Sequence, residues 1–357
     1  MMMYQLSKNT HLLALLVMTT GLCACGGSSS GDDSGSGIDP WNLNPDIVFV
    51  SGDEGEVSFN TLTPGSIEKL VTGNYSRNPD KVSGILALPA SLTGKVPAII
   101  IAHSSGGISA KYYDLWTPLF TTNGIAAFVI DSYTGRNPPR APSGQALISN
   151  NVQMVDAMVA LKLLSTHPDI DPDRIGFIGF SAGAQAVQGT IFDEVRKEFL
   201  DASLKFAAYI PVYPVCERRR WSPNMASEPI LTLLGELDQL GTAGACVEYN
   251  NILSSNGADV TTTIYPGVYH SFDGVGFVTV NDLIEFTQCS GEFRLDTLTK
   301  RNYKTGQVFG TFKDYFSYIL QCSNTIPNMI TLGGTQESLD NSTADVINFL
   351  KTVFVLP

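Results

Sequence analysis

The stretch Arg174-Ile175-Gly176-Phe177-Ile178-Gly179-Phe180-Ser181-Ala182-Gly183-Ala184-Gln185-Ala186 decides the fold. Residues 174–178 read as a short buried strand, and the residues after Gly183 are small and compatible with a helix start. Between them lies Gly-x-Ser-x-Gly, from Gly179 to Gly183. Strand, glycine-flanked serine and helix in that order describe a nucleophile elbow. The turn is sharp and strained and leaves no room for side chains beside the serine, so glycines must flank it. The pentapeptide alone is a weak signal, because its residue types are common. Set between a strand and a helix it is a strong one, and it marks Ser181 as a nucleophile.

Outward from this stretch the hydrophobic pattern alternates. Residues 96–102 (Val-Pro-Ala-Ile-Ile-Ile-Ala) and 125–130 (Ile-Ala-Ala-Phe-Val-Ile) are almost continuously apolar, as strands covered on both faces are. Residues 206–212, 230–234 and 260–265 read as further strands, and 57–62 and 82–88 as early, partly exposed ones. Helices are predicted over 110–122, 144–165 and 345–354; in the second, Val152, Val155, Val159 and Leu163 recur at helical spacing. This alternation predicts an α/β chain with a mostly parallel central sheet and helices on both faces. Residues 274–334 break the pattern. Polar and rich in aromatics, they are predicted to form an insertion or lid before the last helix. Phe312, Tyr315, Phe316 and Tyr318 there either line a substrate cleft or form a small satellite core.

Composition bounds the function. Of 357 residues 43% are hydrophobic and 16% charged, ample for a sizeable core. The net charge of −12 repels phosphate backbones, so nucleic acid is not an expected partner. Lys8 followed by the apolar run from Leu12 to Met18 has the form of an export signal. Leu22-Cys23-Ala24-Cys25 directly after it resembles a bacterial lipobox. Residues 1–24 are therefore predicted to be a signal peptide, with Cys25 lipidated. Gly, Ser and Asp dominate 26–37, a composition that cannot build a core; 25–45 is read as a flexible tether and 46–357 as the folded domain. Glycine rather than aspartate follows Cys25, which in similar lipoproteins points to the outer membrane of a bacterial envelope. Four further cysteines allow three pairings in an oxidising compartment. Cys216–Cys246 and Cys289–Cys322 are favoured, because each pair brackets one local region. No Cys-x-x-Cys is present and histidines are few, so no metal is expected.

A serine hydroxyl is a poor nucleophile at neutral pH and needs an oriented histidine to take its proton. Beyond the leader the sequence offers three. His167 ends the long helix at His-Pro, a surface turn, and reads as structural. His103 opens His103-Ser104-Ser105-Gly106-Gly107 after the third strand, the loop that supplies an oxyanion donor. His270 lies just beyond the last strand of the alternation, and elimination and position both make it the general base. The carboxylate that orients its ring is assigned to Asp238, which follows the 230–234 strand at the carboxyl edge of the sheet. Glu236 is the rival, but it lies closer to the strand and reads as a rim residue. Backbone N–H groups of Ala182 and of the loop at Ser104 and Ser105, with Ser105 favoured, are assigned to the developing oxyanion.

Together these motifs resemble the dienelactone hydrolase family of α/β-hydrolases. The similarity covers roughly two-thirds of the chain, residues 82–269 and the final helix. It rests on His103-Ser-Ser-Gly-Gly, Asp131-Ser-Tyr-Thr-Gly-Arg136, His167-Pro, the serine elbow, Gly235-Glu-Leu-Asp238 and Tyr265-Pro-Gly-Val-Tyr-His270. It implies the α/β-hydrolase fold, in which the order Ser181, Asp238, His270 is the usual one. In that family an arginine after the fourth strand binds the substrate carboxylate, and the resemblance places Arg136 there, with one extra residue in the loop. Two features depart from the family. Its founding members carry a cysteine nucleophile, whereas Ser181 points to general ester hydrolysis rather than dienelactone opening. The 274–334 insertion also lies outside the pattern. The run Arg218-Arg219-Arg220-Trp221 offers positive charge to an anionic substrate, but its simpler reading is a solvated surface loop.

The expectation is a lipid-anchored, cofactor-free serine hydrolase that cleaves small-molecule carboxylic esters through an acyl-enzyme. An exported peptidase of the same fold is the alternative enzyme, since amides and esters share the triad. A surface binding protein on an inactive hydrolase scaffold is the alternative outside enzymology.

Overall fold

The computed structural model describes residues 42–92, 94–323 and 329–356. The signal peptide, Cys25 and the tether as far as residue 41 lie outside the described residues. In chain order come β1 (Gly55–Thr61), the short helix α1 (Ile67–Val71), β2 (Asp80–Ala87) and β3 (Val96–Ala102). A π-helical turn (Tyr112–Trp116) leads into α2 (Thr117–Thr122), then β4 (Ala126–Asp131), α3 (Asn151–Ser165) and β5 (Ile170–Phe180). Next are α4 (Ala182–Thr190), α5 (Asp193–Arg196), β6 (Ala208–Val212), β7 (Arg218–Trp221), β8 (Ile230–Gly235), α6 (Ala243–Ser255) and β9 (Val260–Tyr265). The remainder is β10 (His270–Asn281), β11 (Gly291–Arg294), β12 (Lys300–Asn302), β13 (Val308–Phe309), α7 (Phe312–Cys322), β14 (Met329–Gly334) and α8 (Gln336–Phe354).

Eight strands build the central sheet in the order β1-β2-β4-β3-β5-β6-β8-β9. The β1–β2 and β2–β4 pairs are antiparallel and the others parallel, which is the α/β-hydrolase architecture. β3 shows why the sheet is central. Ile99 and Ile101 pack into a core shared with α2 and α8, while Ala98, Ile100 and Ala102 pack into one shared with α3, α4 and α6. Side chains alternate faces, so a strand apolar throughout needs a helix layer on each side.

Several boundaries differ from the sequence reading. The helix expected over 144–165 begins only at Asn151. Gly144 takes φ 85° and donates its N–H to Ala141 O, and Ala146 N–H is drawn to Ser105 O, so this stretch is a loop pinned over the site. α3 itself is buried nearly all round rather than amphipathic. The last helix starts at Gln336 rather than 345, because Thr335 caps it and Ser338 completes a capping box. The tether ends before residue 45: Leu43 is buried in the core, and Asn44 exchanges hydrogen bonds with the Asn60 backbone at 2.6 and 2.9 Å.

The 274–334 insertion is folded on two frames. β10 and β14 form an antiparallel ribbon, and β13-β12-β11-β7 form a second sheet in which β7 and β11 run parallel. Arg218–Trp221, read from sequence as a surface loop, is therefore a strand. Three consecutive charges carry no alternation signal, and the partner strand lies some seventy residues downstream. Phe293, Phe309, Phe312, Tyr315 and Tyr318 pack on one another, so the insertion has its own small aromatic core. Cys216 is bonded to Cys246 and Cys289 to Cys322. Each closes a loop of 30 and 33 residues respectively, worth roughly 3–4 kcal/mol in the chain-entropy picture.

Candidate active site

Ser181 stands between β5 and α4 with φ 55° and ψ −109°, a left-handed backbone that serine rarely adopts. Its neighbours make the conformation obligatory. A Cβ on Gly179 would lie 2.2 Å from Gly183 O, and one on Gly183 would lie 2.4 Å from Ala102 O. The N–H of Ser181 donates to Val212 O at 3.0 Å and locks the elbow to β6.

The three residues assigned from sequence come together. Ser181 Oγ is 2.8 Å from His270 Nε2, and His270 Nδ1 is 2.7 Å from Asp238 Oδ2. The other Asp238 oxygen accepts the N–H groups of Leu240 and Gly241 at 2.9 and 3.4 Å, which aims Oδ2 at the imidazole. This network assigns the proton to Nδ1 and leaves the Nε2 lone pair facing the serine. Glu236 instead accepts the Gly267 N–H at the surface.

Behind His270 lies a buried polar cluster that spacing alone did not reveal. The Tyr213 ring packs against the imidazole with centroids 4.6 Å apart, and its hydroxyl donates to Asp273 Oδ1 at 2.9 Å. Asp273 also receives Trp116 Nε1 at 3.1 Å and pairs with Lys111 Nζ at 2.9 Å. Burial, then the Asp273 charge, push the Tyr213 phenol well above 10. The ring is thereby held neutral and fixed against one face of the histidine. Asp273 sits three residues after His270 on the same strand, the one signal that could have drawn attention to it.

The glycine loop after β3 brings Ser105 to the same cavity as Ser181 and Ala182. Ser104 N–H is already engaged by Tyr112 Oη at 2.9 Å. His103 holds this loop from beneath: Nδ1 lies 2.8 Å from Ser104 O, and Nε2 accepts Ser132 N–H at 3.2 Å. The bond accepted at Nε2 needs the neutral ring, whereas the one donated from Nδ1 does not, and burial, outweighing that Nδ1 bond, lowers the pKa below the ordinary 6.5. The unfolded chain therefore takes up a proton that the folded one refuses, so stability falls as pH drops below about 6.5 and returns above it. Melting curves between pH 7 and 5 are expected to show this loss, up to about 1.4 kcal/mol per pH unit, and His103→Asn to flatten it. An identical slope in the variant would refute the assignment.

Two other residues lie elsewhere than the sequence suggested. Arg136 does not reach the cavity. Its guanidinium forms a two-pronged pair with Asp156 at 2.8 Å and 2.8 Å, and donates to Ser132 O and Thr63 Oγ1. With its donors spent in the interior it has none to offer a substrate. His167 is fully buried rather than at a surface turn, yet structural, its ring bridging Asp53 O and Asp169 N–H.

The cavity over Ser181 has a volume of about 610 Å³. Ala146, Leu147 and Ile148 of the pinned loop form one wall, and Phe286, Phe312, Tyr315 and Phe316 of the insertion another. The insertion's aromatics thus serve both as its own core and as cavity lining. Gln185 adds a polar group that the sequence reading did not place there, and Arg218, Arg219 and Arg220 border the cavity, the less simple of the two sequence readings of that run.

Residues 82–275 match the family model described as "Dienelactone hydrolase family". Among curated relatives, Protein usf of Aquifex pyrophilus is 25% identical over 56% of this chain and 84% of its own length. A Bradyrhizobium protein named "Probable 2-oxo-3-(5-oxofuran-2-ylidene)propanoate lactonase" is 22% identical over 52% of this chain and 77% of its own. Of solved structures, the propionate-bound esterase 2 of Thermogutta terrifontis aligns with TM-score 0.42 and 14% identity, over 60% of this chain and 85% of that one. With more than half of its length matched by the family model, the chain belongs to the dienelactone hydrolase family.

Proposed function

We propose that this hydrolase cleaves carboxylic esters through an acyl-enzyme, with Ser181 as nucleophile, His270 as general base and Asp238 as its orienting partner. The observation that carries the reading is the unbroken chain Ser181 Oγ–His270 Nε2 at 2.8 Å and His270 Nδ1–Asp238 Oδ2 at 2.7 Å, opening into a cavity large enough for a small molecule. Ser181 Oγ adds to the ester carbonyl carbon as its proton passes to Nε2. The imidazolium then protonates the departing alkoxide, and water repeats the sequence to release the acid. The N–H groups of Ala182 and Ser105 face the developing oxyanion, each worth ~2.7–4 kcal/mol. Family membership and the lactonase named among the relatives, which opens a cyclic ester, support ester chemistry.

The test is a fluorophosphonate probe together with paired ester and peptide substrates. Labelling is expected at Ser181 alone, with turnover of short p-nitrophenyl esters and none of peptide amides. An unlabelled Ser181 would favour a binding protein, and faster peptide cleavage a peptidase. The proposal extends to a lipid anchor at Cys25 in the bacterial outer membrane, supported by the Leu22–Cys25 motif behind an apolar run. Mass spectrometry of the mature N-terminus is expected to find diacylglyceryl on Cys25, and an unmodified start elsewhere would refute it.

A further inference from the structure

α7 turns one face to the cavity that holds Ser181. Phe312, Tyr315, Phe316, Ile319 and Leu320 all line it, and their spacing of three and four places them along a single stripe of the helix. Lys313, Asp314 and Gln321, between and beyond them, are exposed. A surface helix ordinarily buries such a stripe against a core. Here only part of it is covered. Tyr315 and Ile319 are buried against β11, where a Cβ on Gly291 would lie 2.6 Å from both side chains. Phe316 and Leu320, one turn apart, stay 51% and 56% exposed. Leu147, on the wall formed by the pinned loop, is 52% exposed.

The helix is fixed in that exposure. Thr311 caps its first turn by accepting the Asp314 N–H at 3.1 Å, and Cys322 in its last turn is bonded to Cys289. Phe312 and Phe316 stack with ring centroids 6.4 Å apart, which keeps the Phe316 ring beside the cavity lining. Among the described residues, Leu147, Phe316 and Leu320 are the exposed large hydrophobic side chains that also line the cavity of the nucleophile. Apolar area left in water is area that a hydrocarbon could cover with gain. Because the patch is continuous with the cavity of the reacting serine, its occupant is the ester itself rather than a separate partner. The β7 arginines border the same cavity, but their hydrogen bonds run to Gln185, Glu248, Glu292 and Asn150.

Resting on the hydrolase reading above, we infer that Leu147, Phe316 and Leu320 form an apolar rim subsite for a hydrocarbon chain of the ester. The preferred substrates are then esters with an acyl or alkyl chain of medium length rather than acetates. A cavity of about 610 Å³ is of the size that holds a drug-sized ligand, so a short ester would leave the rim in water. Full burial of one methylene is worth about 4-fold in affinity, and half burial at a rim about 2-fold. α7 lies beyond residue 275, where the match to the family model ends, so this preference belongs to the insertion and not to the family.

Two ester series test this, each used below its critical micelle concentration. 4-Nitrophenyl acetate, butyrate and octanoate lengthen the acyl side. Ethyl, butyl and octyl acetate, followed by pH-stat, lengthen the alcohol side. In one series the longest member is expected to exceed the shortest in kcat/KM by at least about 10-fold, mostly through KM. Phe316→Ser and Leu320→Ser, at half-exposed positions, are each expected to cut that ratio at least about 3-fold and the double variant at least about 10-fold, while Phe316→Leu keeps most of it. Ratios near one in both series for the wild-type enzyme, or an unchanged ratio in the double variant, would overturn the subsite and leave the hydrolase reading intact. An unchanged ratio does so whatever else the double variant loses, be it self-association or binding to phospholipid vesicles. Should no ester be turned over, the hydrolase reading fails, and the fluorescence of the neutral probe N-phenyl-1-naphthylamine decides the rim alone. Binding to the wild-type protein that the double variant loses supports it; binding that is absent, or equal in both, overturns it.

Discussion

Ser181→Ala is expected to lower kcat/KM for a short p-nitrophenyl ester by at least about 10⁴-fold while leaving the fold intact, because the nucleophile, base and orienting acid act as a unit. The hydroxyl is the only group lost, and among the described residues its hydrogen bond is to His270 Nε2 at 2.8 Å. Only His270 Nε2 loses a partner, while Nδ1 keeps Asp238 and the ring keeps Tyr213. The melting temperature of Ser181→Ala should therefore stay within about 2 °C of wild type. Ser181→Gly is expected to be the more stable inactive variant, because φ 55° costs glycine almost nothing. Pairing Ser181→Ala with His270→Ala should add little further loss, as removing one member already disables the proton transfer. Activity of Ser181→Ala near the wild-type level would place the nucleophile elsewhere and sink the mechanism.

How much of this was legible follows from where each signal lies along the chain. The central strands declare themselves locally: β3 is apolar throughout because both its faces are covered, and 96–102 is the span found. The elbow is legible because steric demand at Gly179 and Gly183 leaves no other residue choice. Asp238 and His270 could be placed because sites of this fold gather at strand ends, and the histidines were few enough to eliminate. Groups whose role depends on distant partners were not legible. Arg218, Arg219 and Arg220 border the cavity as residues of β7, and that strand exists only because β11 pairs with it. Asp273 gains its partners from residues 60 to 162 positions away. Arg136 shows the converse error. Its position matched a motif, but the acid that claims it, Asp156, lies on a helix whose burial all round the sequence pattern did not convey.

Gly183→Ala is expected to destabilise the domain by about 3 kcal/mol, the upper end for overpacking, and to lower kcat by at least about 10²-fold. The new methyl would meet Ala102 O at 2.4 Å and His103 O at 2.8 Å, both backbone atoms. β3 cannot retreat, because it is paired with β4 on one side and β5 on the other. Either the first turn of α4 must lift, carrying the Ala182 N–H with it, or the 103–107 loop must shift, carrying Ser105. Both movements separate the two donors proposed for the oxyanion, so stability and rate fall together. Gly244→Ala is the matched control. Nothing lies within 4 Å of a Cβ there, at the start of α6, and alanine should stabilise by roughly 0.5–1 kcal/mol with no change in rate. Urea unfolding and ester kinetics on the two variants separate the explanations. Wild-type stability and kcat in Gly183→Ala would mean that the contact between α4 and β3 has slack, and that the spacing of Ala182 and Ser105 is set by something other than this glycine.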